Sequence, residues 1–449
     1  MRLADLAGHT VAIWGTGREG VAAAGAVRAL PGVTVVAVDE NAGRSVSAWT
    51  AAAGPVPLAL GEAAFDALAG AQVVVKSPGI SRFHPWLARL VEAGVTVTSG
   101  TQLWMAEHAD QAIGVTGSKG KSTTSSLVHH LLAGLGERVE LGGNIGVPML
   151  AMPAADRYVL EMSSYQCADL RDSLLVAAVT ALFPEHFDWH GSEEQYYEDK
   201  LNILAQRPRH AVVNGLDPRL RERVAATGLP VTFTGGPDSF HVTGAGFQWR
   251  HRPLFPRETL RLLGRHNAGN LCVALGVLAA LGVDCVARRE ELAAIVARFE
   301  PLPHRLGVIE DPSGLTFVDD TLATSPHATI LAVETFAGRP LTLILGGADR
   351  GLDYTVLRDF LGARTDGCVV IGIPDSGPRI VAALDGLARV HTATVGDLAA
   401  AVRAARELTP AGGVVLLSPA APSYGRFINF EHRSAAFRDA ISATARHAV

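Results

Sequence analysis

The 449 residues predict an α/β chain built mainly on parallel sheets. Three observations lead there. Short Val/Ile-rich runs alternate with Ala/Leu-rich helical segments along nearly the whole length. Two glycine-rich turns each sit between an apolar run and a helical pattern. The chain is also too long for one core, so several domains are expected.

The elements follow in order. Apolar runs at 10–14, 33–38, 73–75, 112–116, 158–161, 177–182 and 211–214 read as strands. Their near-continuous apolar character fits strands covered on both faces, as in a parallel sheet. The stretch 231–256 mixes Gly, Pro, Trp and alternating polar residues, which predicts a small antiparallel excursion. A helical pattern resumes over 264–281. Its apolar part, 271–283, is too short to span a bilayer, which takes roughly 20 residues, and reads as a buried helix. After Pro301-Leu302-Pro303 the rhythm restarts, with strands expected near 315–318, 341–345, 367–371 and 414–417. The expected domains are 1–104, 105–302 and 303–449.

Composition narrows the class. Hydrophobic residues make up 48% and charged residues 18% of the chain, as in compact globular domains. A net charge of −5 offers no basic surface for nucleic acid. No signal peptide or membrane segment is read from the sequence. The four cysteines, Cys167, Cys272, Cys285 and Cys368, have no metal-ligand spacing and fit isolated thiols in a cytoplasmic protein.

The run 115–124, VTGSKGKSTT, carries the most chemistry. Gly117 and Gly120 let the backbone curl so that the N–H groups of Ser118, Lys119 and their neighbours face one anion. The helix beginning near Ser122 adds the positive end of its dipole. Lys121 brings a mobile charge to the outer phosphates, and Ser122 or Thr123 offers a hydroxyl to magnesium. The usual spacing departs in one place: Val115 stands where the pattern has glycine, and glycines sit at Gly114 and Gly117 instead. Such a loop binds a nucleotide polyphosphate.

A second glycine motif, Gly15-Thr16-Gly17-Arg18-Glu19-Gly20, fits G-x-G-x-x-G, with Asp39 ending the next strand at ribose distance. Alone it admits an NAD-dependent oxidoreductase, any other nucleotide with a diphosphate, or a purely structural turn. The loop Ser77-Pro78-Gly79-Ile80 follows a strand and is placed to close over the same ligand. Glu161 at a strand end, His186 in a loop and Lys200 on a helix one turn after Tyr196 lie downstream of the phosphate loop. Carboxylate and imidazole groups there suit a magnesium site. Taken singly, Glu161 and Lys200 also read as surface charges and His186 as a satisfied loop histidine.

Taken together, the motifs resemble the Mur ligases, ATP-dependent enzymes that add amino acids to the peptidoglycan precursor. The series is SPGI at 77–80, TGSKGKST at 116–123, GGNIG at 142–146, LEMSSYQ at 160–166 and EHFDWHG at 185–191. It continues with Tyr196 and Lys200, then Gly264-Arg265-His266-Asn267 with Asn270, Pro303-His304-Arg305 and the segment 319–324. LGGADRGLD at 345–353 and LLSPAAPSYGRFINFEHR at 416–433 complete it. Within the family the likeness is greatest to the UDP-N-acetylmuramoyl-L-alanine–glutamate ligases. The resemblance implies a Rossmann-like first domain, a P-loop central domain and a Rossmann-like third domain that holds the amino acid.

The roles it implies are specific. Gly17, Arg18, Asp39, Ser77, Pro78 and Gly79 would bind UDP, in place of NAD. Asn144, Ser163 and Gln166 would meet the muramoyl end. Lys121, Ser122, Thr123, Asn267, Asn270, Arg305 and Asp320 would contact ATP. Glu161 and His186 would hold Mg2+, with Lys200 as a carbamate supporting a second ion. Thr324, Arg350, Ser423 and Phe430 would contact glutamate. The catalytic set is Lys121, Glu161, His186, Lys200 and Arg305.

Departures from the pattern concentrate in the amino-acid pocket. Leu322 replaces a lysine usual in D-glutamate ligases, Arg350 replaces lysine, and Pro422, Gly425 and Ser434 also differ. Ala181 replaces a central asparagine. An apolar Leu322 cannot pair with a carboxylate. This pattern resembles the variant ligases that add L-glutamate, whose product a separate epimerase then inverts. The D-glutamate reaction stays open as the alternative.

Overall fold

The structure, a computed structural model, describes residues 1–184 and 187–445. The sequence-predicted metal ligand His186 lies outside them. Apolar runs become sheet strands because helices cover both faces. The first sheet holds β1 (Thr10–Trp14), β2 (Thr34–Asp39), β3 (Leu58–Leu60), β4 (Val73–Lys76) and β5 (Thr96–Ser99). They run parallel in the order β3-β2-β1-β4-β5.

The second sheet holds β6 (Ala112–Thr116), β7 (Val139–Gly143), β8 (Arg157–Glu161), β9 (Val176–Val179), β10 (His210–Asn214) and β11 (Thr232–Thr234). It too is parallel, in the order β11-β10-β9-β6-β8-β7. The antiparallel excursion is present but smaller than expected: β12 (Phe240–Thr243), β13 (Gly246–Trp249) and β14 (Arg252–Phe255) form it. Residues 232–234 instead pair parallel with β10.

The last sheet comprises β15 (Gly307–Glu310), β16 (Thr316–Asp319), β17 (Leu341–Leu345), β18 (Cys368–Gly372), β19 (Val390–Thr394) and β20 (Val414–Leu417). Its order is β15-β16-β20-β17-β18-β19, with β15 alone antiparallel. The apolar stretch after Gly264 forms the helix Arg265–Ala280, buried along most of its length.

The chain divides into two compact units. The first combines Met1–Leu260 with Ala268–Phe299, and the second combines Arg261–Asn267 with the chain from Glu300 onward. Thus the first two parallel sheets share a unit. No helix among the described residues is long and apolar enough to cross a membrane.

Candidate active site

The phosphate loop leaves the centre of the second sheet. β6 is buried at every position and lies between β9 and β8. The chain turns at Gly117 (φ +145°) and Gly120 (φ +86°), then enters the helix Lys121–Gly134. A Cβ at Gly117 would stand 2.1 Å from Thr180 Oγ1, and one at Gly120 would stand 2.5 Å from Asn270 Oδ1. Only glycine fits both the backbone angles and this crowding. Asn270, read from sequence as an ATP contact, is therefore packed against the loop.

Residues beyond β9 pin the loop from outside. Thr180 Oγ1 donates to Lys119 O at 2.5 Å, and Ser118 N–H donates to Ala181 O at 2.7 Å. Ser118 Oγ lies 2.7 Å from Phe183 O and 2.7 Å from the Tyr196 hydroxyl. This corrects the expected strand 177–182. It ends at Val179: Thr180 N–H still reaches Thr116 O of β6, but Ala181 and Phe183 bond Ser118 of the loop and Leu182 N–H bonds Asp217.

Two lysines face the same turn. Lys121 Nζ donates to Gly117 O at 2.8 Å and to Ser118 O at 3.2 Å. Lys200 Nζ, from the helix Glu193–Ala205, donates to Gly117 O at 3.1 Å and is buried. Ser122 and Thr123 occupy the first turn of the loop's helix and are buried.

Glu161 ends β8, in register with Val115 of β6 and Gly143 of β7. Asn144 Nδ2 donates to Glu161 Oε1 at 2.6 Å. The other oxygen, Oε2, is buried with no hydrogen-bond partner among the described residues. A buried carboxylate oxygen left bare is costly unless a cation or donor meets it, so the donor set fits a hard divalent ion. Among the described residues there is no group of three or more acidic, histidine or cysteine side chains that could hold a metal. The four cysteines are free and buried.

The glycine motif after β1 opens onto a cavity of about 490 Å³ in the first unit. Gly17, Arg18, Asp39, Ser77–Gly79, Asn144, Ser163 and Gln166 all line it. So the two sets separated in sequence share one space. Arg18 Nη2 donates to Gly146 O. Asp39 accepts from Thr16 Oγ1 at 2.5 Å, Asn41 N–H at 3.0 Å and Arg44 Nε at 3.0 Å. Burial alone raises this carboxyl, but those donors and the Arg44 charge outweigh it and hold it below the ordinary value.

Glu19, which also lines the cavity, behaves oppositely: burial pushes its carboxyl up to about 7 against the Arg18 charge. Ser163 and Gln166 carry a second duty that sequence reading missed. They form a capping box on the helix Ser164–Asp169, with Gln166 N–H donating to Ser163 Oγ and Ser163 N–H to Gln166 Oε1.

The second unit holds the remaining predicted residues. Burial lifts the Asp320 carboxyl to about 7, although the Ser418 hydroxyl, the Arg305 charge and the Leu306 N–H favour its ionised form. Asn267 Nδ2 donates to Leu263 O at 2.7 Å. Arg350 is exposed, and its guanidinium donates to the Tyr424 hydroxyl at 2.5 Å. Ser423 is buried, and Phe430 opens the helix Phe430–Thr444 with its ring 5.6 Å from that of His304. Thr324 is half-buried.

One residue here went unnoticed in the sequence. Arg433 is fully buried and donates from Nε to Thr321 Oγ1 and from Nη2 to Thr321 O, both at 2.7 Å, and from Nη1 to Ala421 O at 3.1 Å. It therefore ties the 321–324 segment to the 421–423 segment. Its only sequence signal was an arginine in the motif before the last helix.

Residues 115–278 match the Mur ligase middle domain, and residues 304–421 match the Mur ligase glutamate ligase domain. A UDP-N-acetylmuramoyl-L-alanine--L-glutamate ligase of Micromonospora sp. is 60% identical, covering 100% of this chain and 99% of the relative. The enzyme of the same name from Salinispora tropica is 59% identical over 99% of this chain and 100% of its own. One from Xanthomonas campestris pv. campestris is 40% identical, covering 97% of this chain and 96% of its own.

Among solved structures, MurF ligase of Thermotoga maritima in complex with ADP aligns with a TM-score of 0.58 at 18% identity, covering 97% of this chain and 95% of that one. MurC of the same organism gives 0.58 at 16% identity, covering 97% and 100%. At such identities these two show the fold alone. The chain belongs to the Mur ligase family. That membership accounts for the phosphate loop and the motifs of the second unit, which a nicotinamide oxidoreductase leaves without a task.

Proposed function

We propose that this protein is an ATP-dependent ligase that joins L-glutamate to UDP-N-acetylmuramoyl-L-alanine in peptidoglycan precursor synthesis. The observation that carries the reading is 59–60% identity along the full chain with ligases of that name. The rebuilt amino-acid pocket, with Leu322 and Arg350 in place of lysines, supports the L enantiomer. The three-domain division of labour is part of the proposal: nucleotide sugar at 1–104, ATP at 105–302, glutamate at 303–449.

The chemistry begins when the alanyl carboxylate attacks the γ-phosphate of ATP, forming an acyl phosphate and releasing ADP. Two anions must meet, so charge has to be offset. Lys121 and the start of the Lys121–Gly134 helix take the phosphates, while the Ser118 N–H, expected from sequence to face them, is instead bonded to Ala181 O and holds the loop's shape. Arg305 adds a second cation, and Asn267, Asn270 and Asp320 position the nucleotide.

Mg2+, held through Glu161, the Ser122 hydroxyl and His186, would supply Lewis-acid charge to the phosphates. Lys200 as a carbamate would turn a cation at the loop into an anion. The amine of glutamate then attacks the acyl carbon, loses a proton, and the tetrahedral intermediate collapses with loss of phosphate. Thr324, Arg350, Ser423 and Phe430 are the proposed glutamate contacts. Water is excluded because it hydrolyses the acyl phosphate. The reading places the reaction in the cytoplasm and leaves inversion of the new residue to a separate epimerase.

The test is ADP release by purified protein with UDP-N-acetylmuramoyl-L-alanine and each glutamate enantiomer in separate assays. Release with L-glutamate at a rate at least tenfold above D-glutamate is expected. Turnover with D-glutamate alone would shift the reading to the D-specific ligase, and no release with either would overturn it.

A further inference from the structure

Apart from the groups assigned above, the first unit contains a chain of four polar side chains from segments far apart in sequence. Arg82 Nη1 lies 2.7 Å from Asp199 Oδ1. Asp199 Oδ2 lies 2.7 Å from His190 Nδ1, and His190 Nε2 lies 2.9 Å from Ser164 Oγ. Gln195 Nε2 adds a third donor to Asp199 at 3.1 Å. Ser164, His190 and Asp199 are 3%, 1% and 3% exposed, so only Arg82 reaches solvent. With Asp199 bonded at Nδ1, the other ring nitrogen is committed to the serine.

The order Ser-His-Asp has the outward form of a hydrolase triad. Ser164, however, is sealed inside the unit as the first residue of a helix. A nucleophile needs access to its substrate, so the chain has to act through its neighbours. Those neighbours are informative. Ser163 and Gln166, on either side of Ser164, line the cavity. Lys200 follows Asp199 directly. Arg82 continues the 77–80 loop, whose Gly79 O accepts from Trp189 Nε1 at 3.1 Å, while Ser81 Oγ donates to Trp189 O at 2.9 Å. Trp189 stacks on Tyr165, another cavity residue, with ring centres 4.6 Å apart.

We propose that Arg82–Asp199–His190–Ser164 is a positioning relay for the ligase reaction. It fixes the first turn of the 164–169 helix against the helix that carries Lys200, and ties both to the 77–80 loop. Directional hydrogen bonds set an orientation that apolar packing alone leaves loose. The relay thereby holds Ser163 and Gln166 toward the sugar nucleotide, while Lys200 keeps its place through its own bond to the Gly117 carbonyl. None of the four touches the reacting atoms. The inference rests on the cavity being the site of the muramoyl nucleotide.

Steady-state kinetics of the full-length enzyme test it. Ser164→Ala removes one oxygen and His190→Phe removes the relay's centre. Each is expected to raise KM for UDP-N-acetylmuramoyl-L-alanine about tenfold while KM for ATP stays within twofold. The double variant is expected to be no worse than His190→Phe alone, because both break one chain. A general structural role would move both KM values together, and independent roles would multiply the losses; either result overturns the relay. If His190→Phe does not fold, Ser164→Ala and Asp199→Asn decide by the same KM split. Gln166→Ala separates the two levels of the argument. If it raises the nucleotide KM and Ser164→Ala does not, the relay falls and the cavity reading stands. If Gln166→Ala leaves that KM unchanged, the cavity reading falls and takes the relay with it.

Discussion

Lys121 carries the charge proposed to act on phosphoryl transfer. Its ammonium lies against Gly117 O and Ser118 O, on the turn proposed to hold the ATP phosphates. Replacing it with alanine removes a charge-assisted donor from the developing negative charge, an effect of about 3–4 kcal/mol. Lys121→Ala should therefore lower kcat for ADP release by about 10³ with circular dichroism unchanged; retained turnover would refute the role.

Lys200 is a subtler case. Buried beside the same carbonyl, it is proposed to work as a carbamate, so Lys200→Ala should lose activity and regain part of it with short-chain carboxylic acids. Full activity without added acid would rule out the carbamate. Lys121 and Glu161 were legible because a contiguous motif and a strand end mark them. Ser164, His190 and Asp199 were not, because their meaning lies in contacts spanning up to 117 residues that no local pattern encodes.

At the scale of elements, legibility followed burial. The interior strands of each parallel sheet stood out as unbroken apolar runs. The edge strands β3, β5, β7, β15 and β19 were missed, and β11, also an edge, was assigned to the antiparallel excursion. Edge strands are short and covered less fully, so their sequences lack the run that marks a central strand; β19, for example, keeps no fully buried position.

The helix Arg18–Arg28 yields a pH prediction of its own. Glu19 in its first turn faces the cavity with a carboxyl lifted to about 7. Below that pH it is protonated and neutral. Above it, a negative charge enters a space proposed to hold a diphosphate. At an effective dielectric near 20 and several ångströms, with screening, that repulsion is about 1 kcal/mol. KM for the muramoyl nucleotide should therefore rise about fivefold between pH 6 and 8, and Glu19→Gln should flatten the profile. An unchanged slope in the variant would remove Glu19 from the account.

At the scale of the molecule, the expected three domains meet two compact units, since sequence marks each sheet's start but not which sheets share a unit. Two units make a single two-state transition an unsafe description, and a buried ion pair offers a way to resolve them. Asp311, between β15 and β16, pairs with Arg406 at 2.7 Å, and both side chains are nearly buried. Arg406 also donates to Ile441 O and Thr444 Oγ1 of the last helix and lies over the Phe317 ring, so it joins three elements of the second unit.

Asp311→Ala strands that guanidinium and should cost the second unit about 3 kcal/mol. Calorimetry should show one transition moved down and the transition of the first unit unchanged. The pH dependence has a definite sign. The Arg406 hydrogen bond, outweighing burial, holds the Asp311 carboxyl below its ordinary 3.8. Its stabilisation is therefore present above about pH 3.8 and drains away as pH falls toward the lower folded value. The gap between wild type and Asp311→Ala should be widest at neutral pH and shrink below pH 3.8. A gap that stayed constant into acid, or a variant that shifted both transitions equally, would mean that the pair does not act within the second unit alone.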